Sequence, residues 1–241
     1  MASISGKSVL VTGANRGIGR ALVDEALRRG ARVVYAATRQ PFTHPDARVT
    51  PLRLDVTDQS QLRAAVARIG DLDVLVNNAG IALYDDLSDA EALKAHFAVN
   101  VLGTHAVTMA LLPKLAHSGG VVVNNTSLMA LAPLPITPAY ALSKAAMLNM
   151  TQSMRALFAS RGVTVHAVLT GPTDTDMTAG FDIPKASAES VARAVFEGVE
   201  AGAADIFPDP ASEQIADGWR TGVAKGLEHE FASFTEPSAA A

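Results

Sequence analysis

A doubly wound α/β fold, one parallel sheet with helices on both faces, is predicted by three observations. Strand and helix signals alternate along the whole chain, which is the pattern of parallel sheets with right-handed crossovers. Segments such as Lys7-Ser-Val-Leu-Val-Thr12 and Asp73-Val-Leu-Val76 are short apolar runs, as in strands buried on both faces. Apolar residues make up 49% of the 241 residues, enough to cover a sheet on each side. No repeat or linker interrupts this order, so residues 1–235 are expected to form one domain. Glu236-Pro-Ser-Ala-Ala-Ala241 reads as a frayed tail.

The elements follow in order. Lys7-Ser-Val-Leu-Val-Thr12 is short, apolar and rich in β-branched residues, hence a buried strand. Gly13-Ala-Asn-Arg-Gly17-Ile-Gly19 comes next, and then a helical pattern with Leu22, Val23, Ala26 and Leu27 on one side. Gly30 is its stop signal. Further strands are expected at 32–37, 49–54, 72–76, 119–125, 163–169 and 204–207. Helices are expected at 17–29, 58–69, 88–98, 101–117, 138–160, 187–201 and 211–232.

Strand, glycine turn, helix is the setting of a Rossmann-type dinucleotide site. Glycines allow a tight turn and close approach of backbone to a pyrophosphate, and the helix N-terminus offers it N–H groups and a positive dipole end. A carboxylate about 20 positions past the glycines would hold a ribose 2′-hydroxyl. Here Thr38 stands there, with Arg39 beside it and Arg16 inside the glycine loop. Two guanidinium groups suit a 2′-phosphate. The bland alternative is two solvated arginines.

Tyr140 and Lys144 are four residues apart, so on a helix they share one face. A phenol titrates near about pH 10, and a neighbouring ammonium favours its ionised form. Ser127, thirteen residues upstream, can donate a hydrogen bond to a carbonyl oxygen while Tyr140 exchanges a proton with it. Such a trio suits carbonyl reduction, provided that a hydride is supplied.

With Thr12 before Gly-x-x-x-Gly-x-Gly, Asn77-Asn-Ala-Gly80 after an apolar strand, Asn100 in Ala98-Val-Asn100-Val, and Ser127, Tyr140 and Lys144 in order, the chain resembles the classical short-chain dehydrogenase/reductase family. The resemblance covers residues 5 to about 207. It implies Tyr140 as acid and base, with Lys144 lowering its pKa and binding the nicotinamide ribose. It also implies that Ser127 orients the carbonyl and that Asn100 holds a relay water. It assigns cofactor contacts to Gly13, Asn15, Arg16, Gly17, Ile18 and Gly19 in the loop, and to Thr38, Arg39, Asp55 and Val56 around the adenosine. Asn77, Ala79, Gly80, Gly171, Thr173 and Thr175 complete the set, together with Tyr140 and Lys144. In similar members Arg16 and Arg39 mark NADPH/NADP+ preference. Asp55 also reads as part of a helix start, Asp55-Val-Thr-Asp58.

Two departures stand out. Thr170 occupies the place of the family's usual proline before Gly171, and the terminal Asp-Gly-Gly of tetrameric members is missing. The first leaves the chemistry intact; the second puts the usual oligomer in doubt. The C-terminal pattern carries Ile215, Trp219, Val223, Leu227 and Phe231 at four-residue intervals, beside Gly218, Gly222 and Gly226. Each interior glycine costs a helix about 1 kcal/mol. Close packing on the chain itself or on a second copy would account for them.

The expected substrate is a small or medium apolar ketone, aldehyde or alcohol. Candidate walls are Ile81, Leu83, Leu128, Met129, Leu131, Leu134, Ile136, Pro172, Met177 and Phe181, under a short lid from Thr175 to near Ser187. A net charge of −4 argues against nucleic acid, and the absence of cysteine excludes disulfides and thiolate metal sites. No metal site is expected. The N-terminus has no signal-peptide pattern and no apolar run approaches the ~20 residues of a membrane span, so a cytoplasmic protein is expected. A non-catalytic NADP-binding regulator on the same fold is the alternative, disfavoured because all four active-site residue types are present. A sugar-nucleotide epimerase is a third reading, disfavoured by the glycine spacing and the lack of a larger C-terminal domain.

Overall fold

A computed structural model describes residues 3–235. The tail expected at 236–241 lies outside the described residues.

Seven parallel strands form one sheet in the order β3-β2-β1-β4-β5-β6-β7. They are β1 Ser8–Thr12, β2 Val33–Thr38, β3 Val49–Arg53, β4 Val74–Asn77, β5 Val121–Asn125, β6 Thr164–Val168 and β7 Asp205–Ile206. Strand order reverses between β1 and β4. Crossovers leave in opposite directions there, and a crevice opens beyond the carboxyl ends of the strands.

Successive strand residues feed opposite layers. Val9 and Val11 of β1 join Val34, Val76 and Val123 beneath α1 (Gly17–Arg28) and α6 (Ala188–Glu200). Leu10 joins Tyr35, Leu75 and Val122 on the other face. That face is covered by α2 (Gln59–Arg68), α4 (Thr104–Ser118) and α5 (Pro138–Ala159). Full burial of a Leu side chain contributes about 1.5–3 kcal/mol, and Leu111, Leu112 and Leu115 of α4 are all buried here. A third, smaller cluster sets Leu148, Ala167, Leu169 and Phe207 against Ala216 of α7 (Pro210–Arg220).

Two expected boundaries differ. The helices expected at 88–98 and 101–117 are continuous. α3 (Ala90–His96) runs into a wider π-helical turn, Phe97–Gly103, and on into α4. A π turn absorbs surplus backbone without breaking the helix, and such turns recur at functional sites. Asn100 lies in it. The resulting 29-residue helix Ala90–Ser118 is long and apolar enough, by length and composition, to cross a membrane, contrary to the expectation that no segment is. Its apolar side lies against the sheet through Val107, Leu111 and Leu115, so it is a core helix.

The single C-terminal helix expected at 211–232 is two. α7 ends at Arg220, and α8 (Val223–Ala232) starts after Gly222, whose ψ of 157° is extended backbone. Nothing lies within 4 Å of where a Cβ on Gly218 or Gly226 would sit. These two glycines therefore mark no close backbone approach within the chain. The pair of helices is held instead by a buried ion cluster. Asp205 accepts from Arg155 (2.7 Å), Lys225 (2.6 Å) and Trp219 (2.6 Å), and Glu228 pairs with Lys225 (2.6 Å) and Arg155.

Candidate active site

At the carboxyl edge of the sheet the chain must turn sharply from β1 into α1. Gly13 (φ +67°) and Gly17 (φ +50°) occupy the left-handed region that favours glycine. At Gly19 the constraint is space, since a Cβ there would sit 2.1 Å from the Gly13 carbonyl oxygen. α1 starts after Arg16 with no side chain capping it, so its first N–H groups face the cleft without a protein acceptor from the cap residue. Thr12 ties this turn to the next strand. Its Oγ1 accepts from the N–H groups of Asn78 and Ala79, both at 3.0 Å.

The Asn77–Gly80 segment divides in its duties. Asn77 turns away from the cleft, buried with its amide donating to Thr108 and Asn124, both at 2.9 Å. This differs from the expected cofactor contact, because the alternation of β4 aims the side chain into the layer beneath α4. Asn78, not singled out from the sequence, lines the cleft with Ala79 and Gly80. It also donates to the carbonyls of Thr12 (3.1 Å) and Gly13 (3.3 Å).

Asn100 is fully buried and does not reach the cleft wall. Its Oδ1 accepts from the Ile81 N–H (2.9 Å), and its Nδ2 donates to the Ile81 carbonyl (3.0 Å) and Ser143 Oγ (2.9 Å). The side-chain amide is thus tied to Ile81 and Ser143. It fixes the strand exit that follows Gly80.

Ser127, Tyr140 and Lys144 meet in one place. Ser127 leaves β5 in extended conformation, its Oγ accepting from the Met129 N–H at 3.1 Å. Tyr140 stands in the first turn of α5, just after Pro138, where the missing proline N–H costs nothing. Lys144 follows one turn later on the same face. Tyr140 keeps part of its surface open to the cleft. Burial nonetheless pushes its phenol up to about 12, opposed by a hydrogen bond with Ser127. Burial pushes the Lys144 ammonium down to about 8. Its Nζ lies 5.6 Å from the Tyr140 ring centre and donates to the Asn125 carbonyl at 2.7 Å. In the free protein burial is the larger influence on the phenol, and the hydrogen bond with Ser127 opposes it.

Several supporting residues escaped the sequence reading. The Thr170 hydroxyl donates to Asn125 Oδ1 (2.6 Å), and Asn125 Nδ2 donates to Asn78 Oδ1 (2.9 Å). The residue that departs from the family's proline thus joins a polar chain across β6, β5 and β4. Asp209 accepts from the Gly171 N–H at 2.7 Å while capping α7. His96 sets its ring edge against Tyr140, with centres 6.2 Å apart, and accepts from the Leu83 N–H at 3.0 Å. None of these contacts carries a spacing signal, because each joins segments distant in sequence.

At the other end, Thr38, Arg39, Asp55 and Val56 share the cleft. The Thr38 hydroxyl donates to the Gln40 carbonyl at 2.6 Å. Asp55 accepts from the Thr57 N–H (2.9 Å) and hydroxyl (2.7 Å), whereas Asp58 caps α2. Arg39 is exposed and makes no ion pair among the described residues; Arg16 pairs with Asp176 at 2.7 Å. Thr173 and Thr175 begin a short lid whose base is closed by Asp174 N–H donating to the Ala186 carbonyl at 2.8 Å.

These segments enclose one cleft of about 740 Å³. Of the expected site residues, Gly13, Asn15, Arg16, Gly17, Ile18, Gly19, Thr38, Arg39, Asp55, Val56, Ala79, Gly80, Ser127, Tyr140, Lys144, Gly171, Thr173 and Thr175 line it. Asn77 and Asn100 stand behind the wall. Among the apolar candidates, Leu83 and Ile136 lie outside the lining and Leu131 packs toward α7. Ala82, Val99, Thr137 and Ile183 line it in addition. No cluster able to hold a metal occurs among the described residues.

Known proteins resemble this chain in sequence and fold. A short chain dehydrogenase from Burkholderia cenocepacia, solved in complex with NADP, is 35% identical, with a TM-score of 0.87 over 95% of this chain and 98% of that one. A sorbitol dehydrogenase from Cereibacter sphaeroides is 33% identical over 79% of each chain. An uncharacterised oxidoreductase from Staphylococcus epidermidis is 33% identical over 81% of this chain and 91% of its own length. The family model for short chain dehydrogenases matches residues 7–185. The chain is an oxidoreductase that belongs to the short-chain dehydrogenase family.

Proposed function

We propose that this protein is an NADPH-dependent oxidoreductase that reduces an apolar ketone or aldehyde to its alcohol, reversibly. The observation that carries the reading is the convergence of Ser127, Tyr140 and Lys144 on the same cleft as the glycine loop.

The cleft suits a dinucleotide phosphate. Gly13, Gly17 and Gly19 form a cradle that a Cβ would fill, with predicted approaches of 2.9, 3.0 and 2.1 Å to neighbouring atoms. The uncapped α1 N-terminus suits a pyrophosphate. Arg16 and Arg39 supply planar donors for a 2′-phosphate, and Asp55 and Val56 flank the adenine region. The complex of the Burkholderia relative with NADP supports the same choice. Ala79, Gly80, Gly171, Thr173 and Thr175 would hold the nicotinamide half. The dinucleotide, when bound, supplies the hydride.

The chain's own residues do the rest. Ser127 donates a hydrogen bond to the substrate carbonyl. Tyr140, held neutral by burial, delivers its proton to that oxygen in reduction and recovers it in oxidation. Lys144 presents positive charge beside the phenol and to the ribose hydroxyls. Asn100 acts through Ile81, positioning the wall after Gly80. Leu128, Met129, Leu134, Met177 and Phe181 give the substrate an apolar bed without a cationic side chain among them, so a carboxylate or phosphate substrate fits poorly. The same reading places the enzyme in the cytoplasm. It also leaves association of copies to α8, where Val223 and Phe231 are exposed; light scattering tests that part.

The test is NADPH absorbance with a panel of aliphatic and aromatic ketones and aldehydes, repeated with NADH. Turnover with NADPH supports the reading. Binding of NADPH with no reduction of any compound would favour a regulatory role.

A further inference from the structure

Arg16 has a partner that its sequence neighbourhood does not offer. Its Nη1 meets Asp176 Oδ2 at 2.7 Å, across 160 residues of chain. Both side chains are exposed, at 67% and 69%, and both line the cleft. Arg16 is the residue just before α1. Asp176 opens the single helical turn Asp176–Thr178 at the start of the lid.

The two lips are close apart from this pair. A Cβ on Gly17 would lie 3.0 Å from Thr175 Cγ2. The Asp176 turn is also anchored, because the Thr178 hydroxyl donates to the carbonyl of Thr173 at 2.5 Å and Thr175 and Thr178 cap each other. Asp176 is therefore held at the lip facing Arg16. The end of β2 offers no carboxylate to compete for either arginine: Thr38 is there, tied to Gln40. Asp55, the other carboxylate in the lining, is engaged by Thr57.

We propose that Asp176 is a specificity-determining residue that competes with the 2′-phosphate of the dinucleotide for Arg16. This rests on the NADPH reading above. A 2′-phosphate has to draw Arg16 away from Asp176. A dinucleotide with a 2′-hydroxyl leaves the Arg16–Asp176 strap intact. Asp176 thus opposes NADPH selectivity from the far side of the cleft, and its charge narrows the preference that Arg16 and Arg39 create. A surface pair of this kind contributes modestly, so the expected effect is a few-fold.

The experiment is a titration of NADPH and NADH by fluorescence into the full-length protein, without substrate. Wild type, Asp176→Asn, Arg16→Ala and the double variant are compared as a cycle. Asp176→Asn is near-isosteric at an exposed site, and its NADH affinity serves as the control for folding. The expected result is NADPH binding tightened roughly two- to fivefold with NADH unchanged, the effect vanishing when Arg16 is already Ala. Weaker binding of both dinucleotides would instead make the pair a latch over their common part and overturn competition. So would an unchanged ratio, or a gain that persists without Arg16. If Arg16→Ala leaves the NADPH-to-NADH ratio at its wild-type value, the NADPH reading of Arg16 itself fails, and this inference with it.

Discussion

The Lys144 ammonium donates a hydrogen bond to the backbone carbonyl of Asn125 at 2.7 Å, while its Nζ stands 5.6 Å from the centre of the Tyr140 ring. The two residues share a helix face, yet in the free protein the lysine is anchored to β5 rather than to the phenol. Burial dominates both groups and moves them apart, the phenol up to about 12 and the ammonium down to about 8.

A pH profile follows from this. For reduction, kcat/KM reports ionisations of the free enzyme. Tyr140 holds its proton throughout the usual range, so it sets no limb below pH 10. Lys144 is charged below about 8 and neutral above it. We expect kcat/KM for ketone reduction to fall on the alkaline side with a midpoint near 8. A flat profile from pH 7 to 10 would show that the Lys144 charge is irrelevant to the reaction.

Thr170→Val should destabilise the fold by about 1–3 kcal/mol, since it leaves the acceptor Asn125 Oδ1 without its 2.6 Å donor. The same change loosens the segment that presents the Lys144 anchor. Urea denaturation measures the loss, and an unchanged midpoint would remove Thr170 from the supporting chain.

Lys225→Met breaks a buried pair and leaves Arg155 as the remaining cation for Asp205 and Glu228, with Trp219 and Gln152 still donating to them. We expect a loss of about 3 kcal/mol at pH 7. The acid limb should move as well. Burial by itself raises the Asp205 carboxyl, but Arg155, with Lys225 and Trp219, holds it below its ordinary 3.8. A lowered folded pKa means stability that is complete above the unfolded value and lost as pH falls through the folded one. With Lys225 gone the folded pKa rises, so acid unfolding begins at higher pH. Denaturation between pH 2 and 7 checks both effects.

Gly19→Ala places a Cβ 2.1 Å from the Gly13 carbonyl oxygen, a backbone atom that cannot swing aside. The glycine loop must deform. NADPH affinity should drop at least about tenfold, a cost of roughly 1.4 kcal/mol or more, as read by fluorescence titration.

Much of this molecule was legible in its sequence because local signals agreed with tertiary ones. β1 and β4 are apolar runs, and the glycine loop sits between a strand and a helix in both readings. What escaped depends on geometry between distant segments. Asn77 is indistinguishable from Asn78 in a motif, yet pleat alternation sends one into the core and the other to the cleft. The π turn at Phe97–Gly103 continues the helix on both sides, and its sequence carries no signal of the wider turn. At the C-terminus three glycines lay in one helical pattern, and only Gly222 became a break. Asp176 and Asn125 gain their importance from partners 160 and 19 residues away.

The central claim is that Tyr140 transfers the proton in an NADPH-dependent carbonyl reduction. The most direct measurement compares turnover of the best ketone by wild type and Tyr140→Phe, alongside NADPH titration of each. The account predicts turnover lower by about 10²–10⁴-fold in the variant, with NADPH affinity nearly unchanged. Comparable turnover in the two proteins would contradict it.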